Sequence, residues 1–135
     1  MLAYLPLMLL PLIAYNIVAF ATAEPLDAEI GRISMVSGAE WIITLSDVLI
    51  LFALAILFFE ILKSTRTSAI SVVDHILSTT VFIIALVEFL LVGPAGTSTF
   101  FIIVMIALID VMAGFSVTIR SARRDFAIGP YDAQP

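Results

Sequence analysis

The sequence predicts an all-α integral membrane protein of four transmembrane helices with both termini cytoplasmic. Three observations predict it: the amount of apolar sequence, its continuity, and the placement of basic residues. Hydrophobic residues make up 62% of the 135-residue chain, and the mean hydropathy is +1.20. A soluble domain of 14.6 kDa has no core large enough to hide that much apolar surface. The solvent that suits this composition is a lipid bilayer.

A spanning helix needs about 20 mostly apolar residues. The chain supplies that length four times, at about residues 2–21, 41–62, 69–92 and 99–119, within a single membrane domain covering 1–135. The runs are continuous, whereas a barrel strand alternates apolar and polar positions over about 10 residues. Helices are therefore predicted, and the Val and Ile content carries no signal for a sheet.

Orientation follows from Lys and Arg, which keep short loops cytoplasmic. Lys63 and Arg66 lie in the second connection, and Arg120, Arg123 and Arg124 open the tail, 120–135. The outer connection, 23–40, sets Glu24, Asp27, Glu29 and Glu40 against Arg32 alone, and the third connection carries no charge. The second connection and the tail thus fall on the cytoplasmic side. Arg120, Arg123 and Arg124 are expected to anchor the helix end among anionic lipid headgroups.

In the first span, Pro6 and Pro11 each remove a backbone donor, so a kinked or loosened first half is expected. Ala21-Thr22-Ala23 has the small-x-small form of a signal-peptidase site. The absence of a basic leader region and the length of the apolar run favour a retained helix. In the outer connection, Ile30, Ile33, Met35 and Val36 suit either an amphipathic segment resting on the interface or a plain loop. Trp41 at the outer end of the second span suits an interfacial aromatic. Ser64–Ser68 reads as a tight polar turn in which Ser68 caps the third helix, and residues 129–135 read as irregular.

The net charge of −5 does not describe a uniformly acidic surface, because much of it sits in the outer connection and inside the spans. Nucleic acid is not an expected partner. With no Cys, the chain offers no disulfide, thiol redox chemistry, iron–sulfur cluster or Cys zinc site. His75 is the single histidine, so two-histidine haem ligation within one protomer is excluded. Ser71 and His75 are spaced to touch, with Asp74 beside them, but serine is common in polar helix stripes and no oxyanion site accompanies the pair. No phosphate-binding loop, metal-binding His–Glu motif or dinucleotide fingerprint is present. Neither catalytic, cofactor-binding nor metal-ligating residues are expected.

The embedded ionisable residues carry the functional argument. On a rise of about 1.5 Å per residue they form three tiers. Asp47 and Glu88 lie in the outer part, Asp110 near the midplane, and Glu60, Asp74 and His75 towards the cytoplasmic end. Glu60 is expected to form an interfacial ion pair with Lys63 or Arg66, and Asp74 to pair with the same bases. Asp110 has no base within reach on its own helix, and a charge at a helix centre costs about 2.5–3.5 kcal/mol. It must be protonated, paired across helices, or beside water. Asp47 and Glu88, at equal depth, would repel unless they shared a proton or cation.

Helical angles arrange these groups into stripes. Ser71, Asp74, Ser78, Val81, Ala85, Glu88 and Val92 follow steps of three and four along the third helix, making a small or polar stripe. Ile103, Ile106, Asp110, Ala113 and Val117 form one on the fourth, with Gly114 beside it. Asp47 and Glu60 lie about 140° apart around their helix, so one is expected to face inward and the other a partner.

The expected function is that of a small non-enzymatic accessory or assembly subunit of a larger membrane complex, its embedded carboxylates directing helix contacts. The alternative is a homo-oligomeric ion channel or proton- or cation-coupled transporter that uses Asp110, Asp47 and Glu88. The expected partners are the lipid bilayer and either copies of the chain or a larger complex. Compactness suggests the inner membrane of a bacterium.

Overall fold

The computed structural model describes residues 5–65 and 68–128. Arg66 and the tail 129–135 lie outside the described residues, as do the side chains of Ser68, Ser71 and Arg124. The elements in chain order are helix α1 (Leu9–Ala21), strands β1 (Glu29–Ser34) and β2 (Glu40–Thr44), helices α2 (Leu45–Ser64) and α3 (Ser68–Leu91), a 3-10 turn (Gly93–Ala95), and helix α4 (Ser98–Ile128). Three segments are long and apolar enough to cross a membrane: Leu45–Ser64, Val72–Leu91 and Ser98–Val117.

The first predicted span is shorter than the sequence suggested. α1 has 13 residues, about 20 Å of helix against a hydrocarbon core of roughly 30 Å. Pro11 sits in its first turn, where a missing N–H costs nothing. Upstream, around Pro6, the chain is irregular, with three-residue turns closed by Leu9 N–H to the Pro6 carbonyl and Leu10 N–H to the Leu7 carbonyl.

The outer connection is a β-hairpin, which corrects the reading of that stretch as interface segment or loop. β1 and β2 pair antiparallel, with Ile33 opposite Trp41 and Arg32 opposite Ile42. Strand alternation puts Ile33, Trp41 and Ile43 on one face and Arg32, Ser34 and Glu40 on the other. Arg32 clasps Glu40 at 2.8 Å and Glu29 at 3.1 Å on the polar face. Gly38 makes the turn possible by adopting φ 86°, and its N–H reaches the Met35 carbonyl.

Trp41 therefore belongs to a strand, and α2 starts at Leu45. Its start is fixed by a reciprocal cap: the Thr44 hydroxyl accepts from the Asp47 N–H, and Asp47 Oδ2 accepts from the Thr44 N–H at 2.9 Å. α4 also departs from expectation. It runs 31 residues, well past Ile119, because the Arg- and Ala-containing stretch that follows has helix-forming residues and no breaker.

The helices alternate in direction. α2 and α4 start side by side, joined by Ser46 and Thr99 hydroxyls 2.6 Å apart. α1 begins beside the last turn of α2 and ends beside the α3–α4 turn, where the buried Tyr15 hydroxyl donates to the Pro94 carbonyl at 2.8 Å and meets the Thr97 hydroxyl at 2.6 Å. One end of the bundle thus carries the hairpin, and the other carries Lys63, Arg120 and Arg123. α4 lies between α2 and α3, while α1 leans mainly on α2. The core is built around α4: Phe100, Ile103, Val104, Ile106 and Ala107 are buried against Leu49, Ala53 and Leu57 of α2 and Val81 and Ala85 of α3. Leu51, Phe58, Ile76, Ile84, Leu90 and Met112 point outward and stay exposed.

Candidate functional site

Two predicted tiers merge in the structure. Glu60, Asp74 and Asp110 come together near the basic end, and each is almost fully buried, with 1%, 5% and 6% of its surface exposed. Glu60 is thus an interior residue and not the interfacial one expected, although its predicted pairing with Lys63 is present. Asp74 and Ser78 reach the cluster along the predicted stripe of α3, and Asp110 along that of α4.

Lys63 is the hub. Its ammonium hydrogen-bonds Glu60 Oε1 at 3.0 Å and the Leu5 carbonyl at 2.9 Å, and forms an ion pair with Asp74 Oδ1 at 2.8 Å. Glu60 Oε2 accepts the Leu7 N–H at 3.1 Å. The irregular backbone around Pro6 has polar groups that no helix satisfies, and α2 side chains satisfy two of them. The cluster therefore joins α1, α2 and α3 in one network.

Asp110 stands one step outside it. The Ser78 hydroxyl hydrogen-bonds its carboxylate, while its Oδ2 has no hydrogen-bond partner. Below it is a cavity of about 10 Å³ lined by Asp74, His75, Ser78, Asp110 and Gly114, among others. Both ring nitrogens of His75 are buried without hydrogen bonds, and its ring packs edge-on against Phe115 at 4.1 Å. Gly114 leaves the room that the imidazole occupies: a Cβ there would stand 2.6 Å from His75 Nδ1.

The outer pair separates. Asp47 is committed to the α2 cap, taking the Thr44 N–H and hydroxyl at 2.9 Å each. Thr44-x-x-Asp47 before an apolar run is a sequence signature of such a cap and was the available signal. Glu88 is half-buried and opens onto a lateral groove of about 460 Å³ between α1 and α3. Its neighbours there are apolar except for Asn16 of α1, a residue that sequence reasoning passed over, and no described residue bonds the Glu88 carboxylate. Arg120 and Arg123 are exposed at the end of α4.

Among the described residues no three carboxylate or imidazole groups converge as metal ligands would. The chemistry available is that of hydrogen bonding, charge neutralisation and proton exchange. The chain matches no protein-family model, and no curated protein or solved structure is similar enough to it to count as a match.

Proposed function

We propose that this chain is a small non-enzymatic accessory or assembly subunit of a larger complex in a bacterial inner membrane. In this reading α1 crosses with the three longer helices, both termini are cytoplasmic, and the hairpin lies on the outer surface with Ile33, Trp41 and Ile43 towards lipid. Charge asymmetry supports the orientation: Lys63, Arg120 and Arg123 lie at one end and the acidic hairpin at the other.

The observation that carries the reading is the α1–α3 groove. A carboxylate that no described residue bonds, facing sideways from an apolar surface within a spanning helix, calls for a partner in the plane of the membrane. The complementary partner is a helix that presents a basic or amide side chain to Glu88 and Asn16. Glu60, Asp74 and Asp110 direct helix contacts inside the protomer, and Glu88 directs them outside it.

Native mass spectrometry of the complex extracted gently from native membranes tests this. A stoichiometric unrelated subunit is expected, and Glu88→Ala should weaken its association by about 1 kcal/mol, roughly fivefold. A pure homo-oligomer would overturn the accessory role.

A further inference from the structure

We propose that the cavity beneath Asp110 is a proton-binding site, in which Asp110 Oδ2 holds one exchangeable proton, reached from the basic end through a single water held by Ser78 and His75. This does not depend on the accessory reading.

Charge balance gives the first reason. Three buried carboxylates face one ammonium, and Lys63 is already ion-paired with Glu60 and Asp74 and hydrogen-bonded to the Leu5 carbonyl. Every described charged or titratable group facing Asp110 is accounted for: Glu60 and Lys63 from α2, Asp74 and His75 from α3, and none from α1. Among the described residues no cation is left for Asp110, and an uncompensated carboxylate is strongly disfavoured away from water. A proton supplies the missing charge.

Geometry gives the second reason. Asp110 Oδ2 is buried, lacks a partner and belongs to a residue lining the cavity. About 10 Å³ is close to the space of one water molecule. Both unpartnered nitrogens of His75, on a residue lining the same cavity, belong to a ring that both accepts and donates protons. In the binding step a hydronium ion gives its proton to Asp110 Oδ2, forming the carboxylic O–H and leaving water.

The site loads from one side. Ser64, at the end of α2, also lines the cavity, and Lys63 retains 17% side-chain exposure. Towards the hairpin end, α4 buries only apolar side chains from Val104 to Ala107, so no polar relay continues upward. Proton binding is therefore expected without transmembrane proton flux.

Infrared difference spectroscopy of the full chain in lipid vesicles, acid against alkaline pH, reads the site directly. A carboxylic C=O band that titrates, shifts on ¹³C labelling of aspartate and vanishes in Asp110→Asn is expected, with no proton flux across the vesicles. Ser78→Ala, a small deletion that leaves the core shape nearly intact, should shift the band by removing the hydrogen bond to Asp110. The proposal is overturned if no aspartic-acid band titrates, if the band persists in Asp110→Asn, or if it is unmoved by Ser78→Ala. Loss of the band on adding Na⁺ at constant pH would also overturn it, because the site would then take an alkali cation.

Discussion

At Gly114 the absence of a side chain is a packing requirement. Gly114→Ala would drive a Cβ against His75 Nδ1 and should destabilise the protein by about 1–3 kcal/mol in thermal unfolding in detergent. Adding His75→Ala should recover most of that loss, because the clash needs both partners. Glu60→Leu should cost more, about 3 kcal/mol, since it leaves Lys63 and the Leu7 N–H without their carboxylate. Asp110→Asn keeps hydrogen-bonding capacity and should stay within about 1 kcal/mol of wild type. The stripe placing Asp74, Ser78 and Asp110 inside was legible from steps of three and four residues. Their union with Glu60 was not, because a second span that begins at Trp41 sets Glu60 too deep. From Trp41, Glu60 lies about 28 Å down. From Ser46, level with Thr99, it lies about 21 Å down, and Asp110 is about 16 Å below Thr99, a difference of one helical turn.

Among the elements, the hairpin was the hardest to read. Its apolar residues are too few and too irregularly spaced to separate a strand pair from an interface segment, and Trp41-Ile42-Ile43 runs straight into the apolar sequence of α2. The Ser37-Gly38 dipeptide was the available turn signal. Gly38→Val should destabilise the turn by about 1–2 kcal/mol because a branched residue resists positive φ, and faster amide exchange across β1 and β2 would report it. The hairpin should also respond to acid. The hydrogen bond from Arg32 is the largest influence on Glu29, ahead of desolvation, which opposes it, and of the Arg32 charge; together they hold the carboxyl below its ordinary 4.5. A lowered carboxyl contributes stability above that value and loses it as pH falls through the folded-state pKa. Arg32 and Glu29 side-chain NMR signals should therefore move together below pH 4.5 while those of the buried core stay fixed. α1 was legible as apolar but not as short, because the hydropathy of residues 5–8 conceals an irregular backbone whose Leu7 N–H and Leu5 carbonyl are satisfied by Glu60 and Lys63.

At the scale of the whole molecule, apolar length made the three long helices legible, while the faces that pack together depended on contacts no single sequence displays. The chain has no cysteine, so single introduced thiols report its orientation cleanly. Ser37→Cys in the hairpin should react with an impermeant maleimide from outside intact cells, and Ala122→Cys near the end of α4 only after the membrane is opened; the reverse pattern would refute the proposed topology. The bonds from α1 to the rest of the bundle also bear on biogenesis. α1 leaves the ribosome before α2, yet the Leu7 N–H and Leu5 carbonyl find their partners only when Glu60 and Lys63 arrive. If α1 crosses the membrane as proposed, those groups must until then remain near water or within the insertion machinery, and α1 is expected to enter together with α2. The Tyr15 hydroxyl waits longer still, for Pro94 and Thr97. The contacts of the first helix are therefore completed only once the turn between α3 and α4 has been made.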